Sequence, residues 1–230
     1  FDNVQIIFNS KVCADFYLDW LGLDSDFDRF RVIPNAVVIE ENLTEKTIPK
    51  YTKKVVGGVF RLKDVKQPIL WLQVAEYVIK HSSEEVQFVI LGDGPLWEKC
   101  NQWIEKSGLS DSIKMVGFTD SVQEWMHSFD LLLQTSIVEG LPNTLIEAQL
   151  CGVPVVTTNA GGSIETIVQG VTGFCSDGFS VEEIGDLVLT AIFDQTWSEN
   201  AKRESKIWAK ENFSLEKMHL SLLSLYGVEK

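Results

Sequence analysis

The sequence predicts an α/β protein: a Rossmann-like parallel sheet with helices on both faces. Short β-branched runs alternate with longer amphipathic stretches through the middle of the chain, the pattern of parallel strands joined by crossover helices. Five of the runs, at 54–60, 86–91, 113–117, 131–134 and 153–157, have the length and apolarity of buried strands. Helix-start chemistry separates them. Pro68 stands where a helix begins, and Ile69, Leu72, Val74, Ala75, Val78 and Ile79 follow at helical spacing.

Before this core, residues 4–8 and 13–21 read as one strand and one helix, followed by Arg31-Val32-Ile33-Pro34-Asn35 and a polar stretch to Pro49. A lone strand and helix cannot enclose a core. Residues 1–50 are therefore expected to be the edge of another domain and a linker, with the sheet domain over 51–195. Further helices are placed at 96–107, 122–128 and 143–151, and three more at 181–193, 198–212 and 215–226. The last segment, 196–230, is expected to pack back on the other domain. There is no internal repeat and no low-complexity segment.

Length and charge narrow the function. A chain of 230 residues with 45% apolar residues can bury a large core. Its 33 acidic and 20 basic residues give a formal net charge of -13, which disfavours nucleic acid and anionic membrane as partners. A small anionic ligand in a cleft is still allowed, because local N–H groups and a few cations outweigh a distant acidic surface. The four cysteines lie far apart in the sequence and read as reduced thiols of a cytoplasmic protein. No apolar run reaches the roughly 20 residues needed to span a bilayer, and the start lacks the basic and apolar regions of a signal peptide. A first residue of Phe rather than Met leads us to expect a chain cut from a longer one.

Three segments carry polar chemistry. Glu139-Gly140-Leu141-Pro142-Asn143-Thr144-Leu145-Ile146-Glu147 lies between a strand and a helix. Gly140 permits a turn with exposed N–H groups, Pro142 and Asn143 suit the helix start, and Glu147 falls about one turn inside. Such a terminus attracts phosphate, and carboxylates beside it accept hydrogen bonds from sugar hydroxyls. Plain helix capping also explains acidic residues there, and an acid–base pair of a glycosidase is a third reading. Gly57-Gly58-Val59-Phe60-Arg61 with Lys66 ends the first core strand, where open α/β sheets bind ligands. Arg61 and Lys66 there are either diphosphate contacts or ordinary surface charge. Gly92-Asp93-Gly94-Pro95-Leu96-Trp97 is a tight turn bordering the same cleft, but Trp97 breaks the dinucleotide-binding glycine pattern. His81 closes a predicted helix, His127 lies near another helix end and His219 sits in the C-terminal helices; none is an obvious base, and the macrodipole accounts for a histidine near a helix C-terminus. Gly161-Gly162 is a loop signal only. No phosphate-loop, zinc-protease or serine-hydrolase motif occurs.

Taken in order, these segments resemble the C-terminal domain of the family 4 retaining glycosyltransferases, which have the GT-B fold of two facing Rossmann-like domains. The resemblance rests on Val32-Ile33-Pro34-Asn35, Gly58-Val59-Phe60-Arg61 with Lys66, Leu91-Gly92-Asp93-Gly94-Pro95 and Val116-Gly117-Phe118. It continues through the Glu139/Glu147 pair, Gly152-Val153-Pro154-Val155-Val156, Gly161-Gly162 and Gly170-Val171-Thr172-Gly173-Phe174. It implies a nucleotide-sugar-dependent, retaining transfer of a hexose from a UDP-, GDP- or ADP-sugar to a glycan, lipid or small-molecule acceptor.

By the same resemblance Arg61, Lys66 and Glu139 are catalytic. Gly58, Gly92, Gly94, Phe118, Gly140, Leu141, Pro142, Asn143 and Glu147 bind the donor, with Glu147 on the ribose and Phe118 at the base. No metal or further cofactor is implied. The acceptor would bind through the missing N-terminal domain, so the chain alone would bind donor and transfer poorly. The expected location is cytoplasmic or peripheral at the inner membrane face. Two departures, the longer Gly57-Gly58-Val59-Phe60-Arg61 and Gln149 in place of a small residue, leave the sugar open. A sugar-nucleotide epimerase, a phosphorylase and a non-catalytic binding module are the alternatives on the same architecture.

Overall fold

The computed structural model describes residues 4–24, 29–40 and 48–228. The first three residues and most of the polar stretch before Pro49 lie outside the described residues.

A six-stranded parallel sheet forms the centre. Its strands are β3 (Lys54–Val59), β4 (Val86–Leu91), β5 (Ile113–Gly117), β6 (Leu131–Gln134), β7 (Val155–Thr158) and β8 (Gly173–Ser176). The spatial order is β5-β4-β3-β6-β7-β8. Strand order reverses between β3 and β6, the switch point at which open α/β sheets leave a crevice beyond the strand C-termini.

The runs of the inner strands are largely apolar because both faces are covered, whereas edge strand β5 carries exposed Lys114. On one face Val56, Phe88, Ile90, Leu131, Leu133 and Val156 meet Trp71, Val74 and Val78 of α2 (Pro68–His81) and Ile184 and Val188 of α6 (Val181–Phe193). The intervening residues Val55, Val89, Leu91, Leu132 and Val155 point the other way, onto Trp125 and Met126 of α4 (Val122–Met126) and Leu145 and Ala148 of α5 (Asn143–Leu150). This two-residue alternation is the pleat. α3 (Trp97–Ser107) contributes Cys100 and Ile104 to the first face. The Trp71 indole N–H, wholly buried, donates to the Leu133 carbonyl at 3.0 Å and so ties α2 to β6.

Three sequence expectations change. The sheet has a sixth strand, β8, that the apolar runs do not announce. The first run ends at Val59 rather than residue 60, and the fifth begins at Val155 rather than residue 153. The N-terminal strand is not alone: β1 (Ile6–Phe8) pairs in parallel with β2 (Phe30–Val32). With α1 (Lys11–Leu21) they form a β-α-β unit around Phe8, Tyr17 and Phe30, whose rings lie 5.4 to 6.3 Å apart.

The C-terminal helices divide between the two units. α7 (Gln195–Asn212) stays with the sheet domain: Ala209 and Phe213 just beyond it pack on Leu141, Ile146 and Leu150, and the Trp208 indole N–H donates to the Thr166 carbonyl at 3.2 Å. α8 (Leu215–Leu225) faces the N-terminal unit, lining a cavity of about 570 Å³ with Gln5, Arg31, Val32 and Ile33. All four cysteines are free thiols. Burial pushes the Cys100, Cys151 and Cys175 thiols up to about 11, so they are neutral at physiological pH.

Candidate functional site

The crevice at the switch point is built from the loops that leave β3, β4, β5, β6 and β7. After β3 the chain makes one tight turn over Asp64–Lys66 and enters α2 through Gln67, the only described non-glycine residue at positive φ (50°). A left-handed residue of this kind costs roughly 1 to 2 kcal/mol, and its bonds hold it. Gln67 N–H donates to Asp64 O at 3.0 Å, and its carbonyl accepts from Trp71 N at 3.1 Å and from Thr135 Oγ1 at 3.2 Å. Thr135 Oγ1 lies equally close to the Lys66 carbonyl, and Ile137 N–H donates to Val65 O at 2.9 Å. The loops after β3 and β6 are thereby laced together, and Lys66 is turned toward β6.

Glu139 receives it. The Lys66 ammonium pairs with Glu139 Oε1, which also accepts from Ser136 Oγ at 2.5 Å and from Gln134 Nε2 at 3.2 Å. The carboxylate is only 11% exposed and Lys66 is 24% exposed. Backbone supports lie behind it. An added Cβ on Gly161 would stand 2.2 Å from Glu139 O, and one on Gly162 would stand 1.9 Å from Gly140 O. The glycine pair thus lets the loop after β7 press on the Glu139 turn, a support role that the sequence showed only as a loop.

Past Gly140 the chain reaches α5. Leu141 and Pro142 are buried, with the Leu141 side chain in the apolar cluster beside α7, so only their backbone can meet a ligand. Asn143 is exposed and accepts from Asn35 Nδ2 at 2.8 Å, which brings the Pro34-Asn35 segment onto the helix start. Among the described residues no side chain caps the α5 N-terminus; Leu145 N–H reaches the Pro142 carbonyl at 3.2 Å, and the remaining N–H groups with the helix dipole favour an anion. Glu147, one turn inside, is half-buried without a hydrogen bond or ion pair to its carboxylate among the described residues, and burial raises its pKa.

On the β4 and β5 side a cavity of about 440 Å³ is lined by Arg61, Gly92, Asp93, Gly94 and Phe118. The ring of Phe118 is 80% exposed. Gly92 (φ 128°) and Gly94 allow close backbone passage, since added Cβ atoms would stand 2.1 Å from Phe60 O and 2.5 Å from Leu62 O. The guanidinium of Arg61 is exposed and has no ion pair among the described residues. Gly58 differs from these: an added Cβ would meet the Trp71 indole nitrogen at 2.8 Å, so core packing accounts for its lack of a side chain.

Lys66, Glu139, Gly140 and the α5 start therefore converge, and Arg61, Gly92, Gly94 and Phe118 form the adjoining cavity. His81 and His127 close α2 and α4, helices that lead into the opposite end of the sheet. Among the described residues no group of three or more His, Cys, Asp or Glu could hold a metal ion, and no helix is long and apolar enough to cross a membrane. Sequence reasoning passed over Gln134, Thr135 and Ser136. Three successive polar residues at the end of an apolar strand and just past it were the available signal.

Residues 39–208 match the protein family described as Glycosyl transferases group 1. The Vi polysaccharide biosynthesis protein VipC/TviE of Salmonella typhi is 34% identical over 185 residues, covering 76% of this chain and 32% of that protein. The poly(ribitol-phosphate) alpha-N-acetylglucosaminyltransferase of Staphylococcus aureus (strain COL) is 25% identical over 198 residues, covering 85% of this chain and 40% of that one. Among solved structures, S. aureus TarM in complex with Fondaparinux, alpha-GlcNAc-glycerol and UDP superposes with a TM-score of 0.81 at 26% identity, covering 96% of this chain and 43% of that one. Anabaena Alr3699/HepE in complex with UDP and glucose gives the same TM-score at 24% identity, a likeness of fold, covering 98% of this chain and 63% of that one. The chain spans about a third to two fifths of the length of the two curated relatives above.

Proposed function

The chain belongs to the glycosyl transferases group 1, with the α/β architecture of GT-B glycosyltransferases, and from that premise we propose that it is the donor-binding part of a retaining, nucleotide-sugar-dependent glycosyltransferase. The observation that carries this is the Lys66–Glu139 pair at the β3/β6 switch point, beside an uncapped helix start and a cavity holding Arg61. Cations and N–H groups that face an open crevice suit a diphosphate. A buried carboxylate beside them suits sugar hydroxyls.

In this reading the base enters the cavity against Phe118, Glu147 accepts from the ribose, and the diphosphate lies between Arg61, Lys66 and the α5 start. The transferred hexose meets Glu139. As the bond from the anomeric carbon to the phosphate oxygen breaks, negative charge grows on the leaving diphosphate. Arg61, Lys66 and the helix dipole stabilise it, and the acceptor oxygen bonds to the face the nucleotide leaves while its proton passes to the departing phosphate oxygen. No metal is required by these roles. We take the donor to be a UDP-sugar, because the TarM and HepE structures contain UDP. An N-acetylhexosamine is the preferred sugar, given that the S. aureus relative is an alpha-N-acetylglucosaminyltransferase. The acceptor, a glycan or lipid, would be held by a part outside this chain, at the cytoplasmic side.

The test is thermal unfolding of the chain with UDP, GDP, ADP and their sugar conjugates. UDP at 100 times its Kd should add about 2.7 kcal/mol, or roughly 5 to 11 °C at this size. No rise with any nucleotide would leave a non-catalytic assembly module, and conversion of a sugar nucleotide without acceptor would make the enzyme an epimerase.

A further inference from the structure

The crevice has a direction. Its loops run from β5 and β4, where the Arg61/Phe118 cavity lies, across the Lys66–Glu139 pair, to the Gly161-Gly162 turn after β7. At that far end the N-terminal unit touches it. An added Cβ on Gly140 would stand 3.2 Å from Asn9 Nδ2 and 3.3 Å from Asn9 Oδ1. The amide of Asn9 therefore rests on the residue next to Glu139, on the side away from the base cavity. It is half-buried and its side chain makes no hydrogen bond among the described residues.

What holds Asn9 there is also visible. Two residues further on, α1 begins, and its first N–H groups are taken by one carboxylate: Lys11 N–H donates to Glu165 Oε2 at 2.9 Å and Val12 N–H to Glu165 Oε1 at 2.8 Å. Both bonds are charge-assisted and the helix dipole adds to them. Lys11 Nζ is engaged elsewhere, by Asp15 at 2.5 Å. Between Asn9 and the helix, fully buried Ser10 packs on Gly162, where an added Cβ would meet Ser10 Cβ at 2.7 Å. Glu165 lies in the 3-10 turn Gly161–Thr166 that also supports Glu139. One short segment thus sets both sides of the sugar end.

We infer that Asn9 hydrogen-bonds the transferred sugar, and that Glu165 is the positioning residue that holds Asn9 over Gly140 by clamping the start of α1. The inference rests on the donor reading above. An amide offers a donor and an acceptor together, which suits a sugar hydroxyl or an N-acetyl group. In the donor reading above, UDP lies on the Arg61 and Lys66 side of Glu139, so only the sugar would meet Asn9.

Calorimetry with UDP, UDP-glucose and UDP-N-acetylglucosamine on the 230-residue chain tests it. Asn9→Ala and Glu165→Ala should each weaken a UDP-sugar by about 10-fold, the loss expected for one hydrogen bond in a closed site, and leave the UDP affinity within about 2-fold. Glu165→Gln, which keeps one acceptor for α1, should fall between wild type and Glu165→Ala. A merely structural role for Glu165 moves UDP and UDP-sugar together. Equal loss of both ligands, or an unchanged ratio in Asn9→Ala, overturns the inference while leaving the donor reading intact. Failure of wild type to bind UDP overturns both.

Discussion

Replacing Glu139 with Gln separates the resting state of the site from its ligand-bound state. Lys66, about three-quarters buried, then loses its counter-charge, while Ser136 and Gln134 keep an amide oxygen to donate to. Breaking a fully buried pair costs about 3 to 5 kcal/mol and an exposed one about 0 to 1. For a pair at 11% and 24% exposure we expect about 2 kcal/mol, or roughly 4 to 8 °C in Tm at this length. UDP should repair the loss, because a diphosphate supplies the missing negative charge to Lys66. The rise in Tm on adding saturating UDP should therefore be larger in Glu139→Gln than in wild type, with UDP affinity about 10-fold tighter, equivalent to about 1.4 kcal/mol. Lys66→Met in the same background should abolish that extra gain. Differential scanning fluorimetry with and without UDP reads all of this. If UDP raises Tm equally in wild type and Glu139→Gln, Lys66 does not meet the diphosphate and the assignment of the pair fails.

Other expectations follow from the same geometry. In the full-length enzyme, Arg61→Ala should lower kcat by about 100- to 1,000-fold without changing Tm, since the side chain is exposed at a cavity rim; wild-type turnover would return Arg61 to surface charge. Glu147 has its carboxyl raised by burial above the usual 4.5, so its protonation stabilises the fold fully below that pH and the benefit is lost as pH rises through the folded value. Glu147→Gln should accordingly be more stable than wild type at pH 7, converge with it below 4.5, and bind UDP more weakly; a constant difference across pH contradicts the burial argument. Gly162→Ala forces a Cβ to within 1.9 Å of the Gly140 carbonyl, and we expect a loss above about 3 kcal/mol, read by urea unfolding. Phe16 and Trp20 on α1 are 75% and 71% exposed, so the chain should bind a hydrophobic dye, and Trp20→Lys should reduce the signal.

Local chemistry decided much of the fold in advance. The strands 86–91, 113–117 and 131–134 were legible to the residue: the first and last are largely apolar because both faces are covered, and edge strand 113–117, whose Lys114 is exposed, still keeps Ile113, Met115 and Val116 before a glycine, so each leaves a mark in a local window of the sequence. Pro68 and Asn143 marked helix starts for equally local reasons: a fixed φ, and a residue at ease beside a proline. β8 left no such mark, since Gly173-Phe174-Cys175-Ser176 has no β-branched residue and is a strand only because β7 offers it an edge. β2 likewise exists through its pairing with β1.

The site divides the same way. Arg61, Lys66, Glu139 and Glu147 could be picked out singly, as polar residues at the mouths of strands and helices, but their grouping could not. Lys66 and Glu139 are 73 positions apart and meet only because β3 and β6 are neighbours in the sheet, an adjacency set by the reversal of strand order. Glu165 reads in sequence as one more acidic residue after a glycine pair. Its partners lie 154 and 153 positions earlier, and the free N–H groups of α1 that it satisfies arise only once that helix has formed and docked. Side-chain type and spacing determine which elements can form, whereas the energy of a bond between distant elements depends on the packed arrangement that brings them within reach.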